Sequence, residues 1–270
     1  MKTFSVIVPV HNEEKFLPLF LKSVCSQNLL PEELVLIDDN SNDKTKKIMV
    51  DYQDKNDFIR VFSLKSSNEH MPGAKVVKAF LFGHSKLTKP YDFILKLDAD
   101  LILPEKYFQL IIDAFSNPKI GIVGGTLIEL TKNGAWENVH PMKTSHVRGG
   151  LKAYSTKCYK KIGGLIPEMG WDTIDELLAN YNGYQVKVLN KLEVKHLRPI
   201  GKVYSRNSSF LQGQAFYKMR YGIIIGVLAC FKGFFIKKSL SFFLWSILGL
   251  LNAYLKNESF IVTKDQGEFI

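Results

Sequence analysis

Two aspartates separated by one residue, Asp98 and Asp100, are the clearest candidates for chemistry in this chain. They follow an apolar segment, Phe93–Leu97, that is predicted to be a buried central strand of a parallel sheet. Because side chains alternate along a strand, we expect both carboxylates to point to the same side. Like charges this close repel unless a cation neutralises them, and a divalent metal that carries a diphosphate does so. The alternative is a solvated acidic turn.

Polar side chains also follow the first two predicted strands. The segment Phe4–Val10 runs into residues 11–14, and residues 34–37 run into Asp38 and Asp39. Ligands of open α/β sheets bind at the carboxyl ends of strands, where acidic and amide groups can hydrogen-bond a base and a ribose. No glycine-rich phosphate loop follows the first strand. This argues against a dinucleotide-binding oxidoreductase, a P-loop NTPase and a nucleotidyltransferase.

The elements that carry these residues alternate between strand and helix. Apolar spacing predicts helices at residues 15–27, 44–55 and 73–86, with a further strand at Ile59–Leu64 between the second and the third. This alternation predicts an α/β fold with a mainly parallel, doubly wound sheet flanked by helices. Later strands are predicted at residues 120–130, 185–189 and 192–195.

Composition narrows the class of protein. The chain has 270 residues and a formal net charge of +10, which suggests acidic partners such as nucleotide phosphates or anionic lipid headgroups. Its lysines and arginines are dispersed and form no nucleic-acid module, so no nucleic-acid partner is expected. The three cysteines are scattered, which fits neither a zinc site nor a disulfide framework. Without an N-terminal targeting segment, a cytoplasmic location is expected.

The chain resembles the family 2 inverting glycosyltransferases of the GT-A fold. The resemblance covers roughly residues 1–200 and rests on three segments in order, FSVIVPVHNEEKFLPLFLKSVCSQ, ELVLIDDNSNDKT and FILKLDADLILP. It implies a nucleotide-diphosphate sugar donor and a divalent metal, Mn²⁺ or Mg²⁺. It also implies that Asp98 and Asp100 contact the ribose and the metal. By the same resemblance, the nucleoside pocket is formed by Pro9, His11, Glu13, Asp38 and Asp39.

Two further segments are candidates for contact with the diphosphate. The family usually carries an arginine-containing helix start at a place where this chain has residues 68–75, and Lys75 is the nearest cation there. Arg148 stands beside Gly149 and Gly150, and paired glycines allow a close backbone approach to a ligand. A solvated lysine and a strand bend are the respective alternatives.

The catalytic base is expected at the start of a helix. Inverting transfer needs a carboxylate that takes the proton from the acceptor hydroxyl. Where the family usually has a Glu-Asp pair, this chain has Asp172, Asp175 and Glu176, which share one helix face. Asp175 is the first candidate and Asp172 the second; the alternative is a capping box formed by the two aspartates. Trp171 beside them is suited either to stack on an acceptor or to close the core.

Two more groups complete the predicted site. His196 stands where GT-A enzymes often supply a further metal ligand, and an imidazole suits Mn²⁺, although a lone histidine is often structural. Arg198 or Arg206 is suited to reach the diphosphate. The loop at residues 136–146 is predicted to lie around the acceptor.

The C-terminal part of the chain changes character. We expect a GT-A domain at residues 1–205 and a helical region at residues 206–270. Residues 239–255 are nearly uncharged but at the lower limit for a membrane span. A helix at the surface of an anionic membrane is the preferred interpretation, and the alternatives are a buried hairpin and a homo-oligomer interface.

These features together predict a metal-dependent inverting glycosyltransferase. A glycan or lipid-linked acceptor in polysaccharide or glycolipid synthesis accounts for the basic charge and the apolar C-terminal part. The chain is then peripheral on the cytoplasmic face of the membrane. The remaining alternative is a membrane-associated scaffold that binds a nucleotide sugar in a degenerate site.

Overall fold

A computed structural model describes residues 2–66, 73–138, 146–198 and 206–270. The first part of the chain alternates strand and helix, as predicted. The strands are β1 (Phe4–Val10), β2 (Glu33–Asp39), β3 (Ile59–Leu64) and β4 (Phe93–Leu97). The helices between them are α1 (Leu17–Cys25), α2 (Thr45–Gln53) and α3 (Ala74–His84).

The four strands pair in parallel because β1, β2 and β4 are apolar on both faces and need cover on both sides. Val6 of β1 lies opposite Leu34 of β2 on one side and Leu95 of β4 on the other. Ile37 of β2 lies opposite Phe62 of β3. This register brings the carboxyl ends of β1, β2 and β4 to one edge of the sheet, where the predicted polar side chains follow.

The second part of the chain completes the sheet with strands of both directions. Its strands are β5 (Leu101–Ile102), β6 (Ile120–Leu130), β7 (Trp136–Glu137), β8 (Leu151–Ser155) and β9 (Gln185–His196). Its helices are α4 (Tyr107–Ala114), α5 (Thr156–Lys161) and α6 (Trp171–Tyr181). The strand order is β3-β2-β1-β4-β8-β6-β9-β5, with β7 paired to β6.

The sheet is therefore mixed, which corrects the prediction of a mainly parallel sheet. Strand β8 is antiparallel to both β4 and β6, and β5 is antiparallel to β9. The two short strands predicted at residues 185–189 and 192–195 form one long strand, β9, whose pairing with β6 shifts register twice. Such irregularities bend a strand without ending it.

Four helices form the C-terminal part: α7 (Arg206–Lys218), α8 (Gly222–Lys237), α9 (Leu240–Leu255) and α10 (Lys264–Phe269). Helices α7 and α9 pack closely because glycines face the partner backbone. A Cβ on Gly213 would lie 1.9 Å from the Ser246 carbonyl oxygen, and one on Gly249 would lie 2.0 Å from that of Phe210. Among the described residues, no helix is both long enough and apolar enough to cross a bilayer.

Candidate active site

The carboxyl ends of β1, β2 and β4 surround a cavity of about 390 Å³, here called the strand-end cavity. Most of the predicted donor-binding and metal-binding residues line it: Pro9, His11, Glu13, Asp39, Lys75, Asp98 and Asp100. A space of this size, lined by carboxylates and a lysine, suits a small polar ligand such as a nucleotide.

The two aspartates at the end of β2 have different surroundings. Asp38 is not in the cavity wall, and its Oδ1 accepts a hydrogen bond of 3.2 Å from the backbone N–H of Ser41. Asp39 lies in the wall, and its buried Oδ1 has no hydrogen-bond partner among the described residues. His11 Nδ1 lies 2.5 Å from the Asp39 carbonyl oxygen. Asp39 is thus the aspartate available to a ligand, and Asp38 stabilises the turn.

Asp98 is held from two directions. Its carboxylate pairs with the ammonium of Lys96, which is 2% exposed, and its backbone N–H donates to the Gly150 carbonyl oxygen at 2.9 Å. A Cβ on Gly150 would lie 2.6 Å from Asp98 Oδ2, and one on Gly149 would lie 2.7 Å from the Trp171 ring. The paired glycines therefore allow β8 to begin directly against Asp98 and Trp171.

Asp100 belongs to a second polar cluster. Its Oδ2 lies 3.4 Å from His196 Nε2 and 3.6 Å from Arg198 Nε, and Arg198 Nη2 lies 2.6 Å from Glu13 Oε1. The strand pairing of Leu101 with His196 brings these side chains together across nearly 100 residues of sequence. The structure thus places His196 and Arg198 beside Asp100, and their roles toward a metal and a diphosphate stay predictions.

Some buried polar atoms of this cluster lack a hydrogen-bond partner among the described residues, which suits a ligand, although His196 Nδ1 lies 3.9 Å from Glu129 Oε1. Among the described residues, Asp100 Oδ1, Glu13 Oε2 and His196 Nδ1 are buried and make no hydrogen bond. Carboxylate oxygen and imidazole nitrogen are suitable donors for Mn²⁺. No group of three or more acidic, histidine or cysteine side chains is arranged to hold a metal in the described ranges. The residues fit a divalent ion that takes its remaining ligands from a bound diphosphate.

Glu13 has an unusual proton affinity. Its side chain is only 12% exposed, and burial raises its pKa to about 7. Arg198 lowers the pKa, and the nearby carboxylates of Asp100 and Asp98 raise it again. Burial is the main cause, so the ionised form of Glu13 is disfavoured in this corner of the strand-end cavity.

A second cavity of about 410 Å³, here called the helix-start cavity, lies beside the first. Its wall includes Arg148 and both paired glycines, and Trp171 and Asp172 contribute from the first turn of α6. Asp98 lies in the walls of both cavities. A ligand that fills the strand-end cavity can therefore meet a second ligand at Asp98.

The two candidate bases on α6 differ sharply in environment. Asp172 is partly exposed and lines the helix-start cavity, whereas Asp175 is 2% exposed and lines neither cavity. Asp175 Oδ1 pairs with Lys152 Nζ at 2.6 Å, and its Oδ2 accepts a hydrogen bond from the Tyr154 hydroxyl. Lys152 Nζ also lies 3.0 Å from Glu176 Oε1. This geometry favours Asp172 as the group that meets an acceptor.

The start of α6 does not contain the capping box that was the alternative interpretation of the two aspartates. The N-cap residue is Gly170, with φ of +78°, and no side chain caps the helix. The Lys152 ammonium instead contacts the Asp172 carbonyl oxygen. Lys152 is fully buried, which lowers its pKa, but the carboxylates of Asp175 and Glu176 outweigh this and raise it above the ordinary value. Lys152 is thus a charged residue that fixes the first turn of α6.

The structure describes the positions of some, but not all, of the residues predicted to contact the diphosphate or the acceptor. Lys75 lies in the first turn of α3 and lines the strand-end cavity, and its contact with a phosphate stays a prediction. Arg148 lines the helix-start cavity. The guanidinium of Arg206 lies 5.9 Å from the centre of the Trp245 ring and lines neither cavity. Residues 68–72 of the predicted phosphate segment and 139–145 of the predicted acceptor loop lie outside the described residues.

A model of the family described as "Glycosyl transferase family 2" matches residues 5–170. The chain belongs to this family. It is 33% identical over 109 residues to an undecaprenyl-phosphate 4-deoxy-4-formamido-L-arabinose transferase of Photorhabdus laumondii, covering 38% of this chain and 31% of the relative. It is 25% identical over 149 residues to a poly-beta-1,6-N-acetyl-D-glucosamine synthase of Staphylococcus epidermidis, covering 55% and 34%. The chain spans about a third of the length of these relatives.

Solved structures support the GT-A type of fold for this family 2 glycosyltransferase chain. S. aureus TarS in complex with UDP-GlcNAc aligns with a TM-score of 0.61 at 20% identity, covering 81% of this chain and 67% of TarS. The mannosyltransferase PcManGT of Pyrobaculum calidifontis, in complex with GDP-Man and Mn²⁺, aligns with a TM-score of 0.60 at 14% identity, covering 98% and 77%. At these identities the likeness concerns the fold alone.

Two buried lysines in this family 2 chain were missed by the sequence interpretation. Lys96 of β4 and Lys152 of β8 lie directly opposite each other, at 2% and 0% exposure. Their ammonium groups lie 5.5 Å and 5.6 Å from the centre of the Trp171 ring, which favours both cations. The available signal was a lysine inside an otherwise apolar strand, Phe93–Leu97.

Proposed function

We propose that this chain is a metal-dependent inverting glycosyltransferase. It moves a sugar from a nucleotide-diphosphate sugar to a glycan or lipid-linked acceptor in cell-surface polysaccharide or glycolipid synthesis. The observation that carries the proposal is the pair of cavities that meet at Asp98. Glu13, Asp39 and Asp100 line one, and Asp172 lines the other.

The donor occupies the strand-end cavity in this proposal. The unpartnered Oδ1 of Asp39 accepts a hydrogen bond from the nucleoside, and Lys75 at the start of α3 faces the diphosphate. TarS was solved with UDP-GlcNAc and PcManGT with GDP-Man. We therefore propose a nucleotide-sugar donor for this chain and do not specify its nucleobase.

Asp100 and His196 are the residues that would hold the divalent metal, and Asp98 contributes from the same strand end. When bound, the metal neutralises charge that develops on the leaving diphosphate. Arg198, which lies beside Asp100 and Glu13, would bind the diphosphate through its guanidinium.

The acceptor occupies the helix-start cavity. Asp172 takes the proton of the acceptor hydroxyl. At the same time the acceptor oxygen attacks the anomeric carbon from the face opposite the diphosphate. The bond to the diphosphate breaks, and the configuration at the anomeric carbon inverts. Asp175 stays paired with Lys152 and supports the helix that carries the base.

The acceptor is proposed to be membrane-bound because one relative is named as a transferase to undecaprenyl phosphate. The chain would then act on the cytoplasmic face, where nucleotide sugars meet the lipid carrier. All three cysteines are free, which fits a reducing compartment.

A thermal-shift series tests the donor site. We expect one of UDP, GDP, CDP and dTDP to raise the melting temperature with Mn²⁺ and not with EDTA, since a ligand that binds only the folded state stabilises it. The shift should be lost in Asp100→Asn and His196→Ala and kept in Asp51→Asn, an exposed control on α2. A folded protein that shows no metal-dependent shift with any nucleotide would contradict the proposal and favour a degenerate scaffold.

A further inference from the structure

Helices α8 and α9 expose many large apolar side chains, and these side chains are here called the hairpin surface. On α8, Ile224 is 76% exposed, Leu228 60% and Ile236 71%. On α9, Leu240, Leu244 and Leu248 are 50–61% exposed and recur every four residues, so they form a stripe along one face. Soluble monomers seldom leave apolar patches of this extent uncovered, and such patches usually mark interaction sites.

Helix α8 packs on α9 through small residues, which leaves its large side chains outside. Gly226 and Cys230 are its buried residues. A Cβ on Gly226 would lie 2.9 Å from Leu250, and one on Gly233 would lie 2.3 Å from Phe242. The contact therefore uses a narrow stripe of the helix, although α8 is apolar almost all round. A helix of this kind normally has cover on more than one side.

The charged residues within the segment that contains both helices have one sign, and Glu258, which follows it directly, pairs with Lys218 of α7. Between residues 219 and 257 the chain contains five basic residues and no acidic one. Lys232 lies on α8, Lys238 lies in the turn between the helices, and both are exposed. Apolar side chains flanked by lysines are the pattern that binds anionic headgroups and the acyl boundary beneath them.

Helices α8 and α9 are shorter than the thickness of the hydrocarbon core of a bilayer. Each has 16 residues, and at about 1.5 Å per residue each is roughly 24 Å long. The hydrocarbon core is about 30 Å thick. Helices of this length and composition fit the interface plane, with lysines toward the headgroups.

A second copy of the chain fits the surface less well. A twofold contact through the same face would place the basic residues of one hairpin against those of the other. No acidic residue in the segment 219–257 is available to pair with them. An anionic lipid surface provides the missing negative charge together with apolar cover.

We propose that the hairpin surface docks the protein onto a membrane that contains anionic lipid. Membrane docking does not depend on transfer activity, so it can be tested independently of the proposed function. In the docked state the apolar side chains of both helices lie below the headgroups, and Lys232 and Lys238 contact lipid phosphates. The docked surface would keep the rest of the chain beside a lipid-linked substrate.

Vesicle flotation tests the proposal directly. We expect the full chain to float with vesicles of phosphatidylglycerol and phosphatidylcholine, and to bind at least tenfold more weakly to phosphatidylcholine alone. The double variant Leu244→Ser/Leu248→Ser should lose binding at least tenfold. The matched control is Leu30→Ser/Leu130→Ser, which changes two leucines of similar exposure outside the hairpin surface and should bind like the wild type.

Two further measurements complete the test. The charge variant Lys232→Gln/Lys238→Gln should weaken binding to the anionic vesicles and leave binding to phosphatidylcholine unchanged. A wild type that melts cooperatively yet does not float with anionic vesicles would overturn the proposal. So would a dimer, measured by light scattering, that dissociates in Leu244→Ser/Leu248→Ser, because the surface would then be covered by a second copy.

Discussion

Asp172 and Asp175 lie one helical turn apart, yet Asp172 lines the helix-start cavity and the buried Asp175 lines neither of the two cavities described above. We expect Asp172→Asn to lower kcat by about 100-fold or more, since an amide cannot take a proton from the acceptor. Its melting temperature should stay close to that of the wild type. The measurement is the rate of nucleoside diphosphate release with the donor found by thermal shift.

Asp175→Asn should lower stability, in contrast to Asp172→Asn. It removes a carboxylate from a fully buried ammonium, and breaking such a pair costs about 3 kcal/mol. For a chain of this size the melting temperature should fall by about 6 °C or more. An Asp175→Asn protein of unchanged melting temperature that has lost kcat, together with an active Asp172→Asn, would make Asp175 the base.

The residues that the sequence interpretation missed share one physical reason. A lysine in a sequence is normally assigned to the surface, because burial of an unpaired ammonium is costly. Lys96 and Lys152 are buried because Asp98, Asp175 and Glu176 meet them in space. Asp175 and Glu176 lie on α6, more than 20 residues from Lys152 of β8, so only the folded chain shows this pairing. Asp98 follows Lys96 by two residues, so that pair was visible in the sequence.

At the scale of single elements, Glu33 at the start of β2 shows how one carboxylate joins several segments. It is 1% exposed and accepts hydrogen bonds from the backbone N–H groups of Thr88 and Lys89, the Thr88 hydroxyl and Arg60 of β3. Burial acts to raise its pKa, but these hydrogen bonds outweigh burial and lower the pKa to about 2. The charged form therefore stabilises the folded state.

This lowered pKa gives a stability prediction with a defined sign. The stabilisation is complete above the ordinary pKa of about 4.5 and is lost as the pH falls from there toward 2. We expect Glu33→Gln to melt several degrees below the wild type at pH 7, and the difference to shrink between pH 4.5 and pH 3. Glu32→Gln, the exposed neighbour, is the control. A difference that does not change with pH would contradict this.

Elements with an unbroken apolar pattern were predictable from the sequence, and their pairing was not. Strands β1 and β4 have the predicted bounds, because strands buried on both faces have continuous apolar sequences. The direction of β8 depends on contacts with β4 and β6, which are distant in sequence. The position of His196 beside Asp100 follows from the pairing of β5 with β9. Local patterns carry no information on such pairings.

At the scale of the whole molecule, the predicted boundary between residues 205 and 206 separates two regions that share a core. Ala215 and Met219 are 1% and 2% exposed, and both belong to the main hydrophobic cluster of the α/β part. Lys218 Nζ lies 3.0 Å from Glu168 Oε1 in the segment before α6. The boundary adjoins residues 199–205, which lie outside the described residues, and it stays a prediction; the described residues on its two sides share buried contacts.

We therefore expect one cooperative unfolding transition for the full chain in scanning calorimetry, because both regions lose buried apolar surface when either one opens. Met219→Ala should lower the temperature of that single transition, since truncation of a buried methionine costs about 2–5 kcal/mol. Leu255→Ala removes a side chain that is 84% exposed and should leave the transition temperature unchanged. Two separate transitions, with Met219→Ala moving only one of them, would mean that residues 206–270 fold as an independent domain.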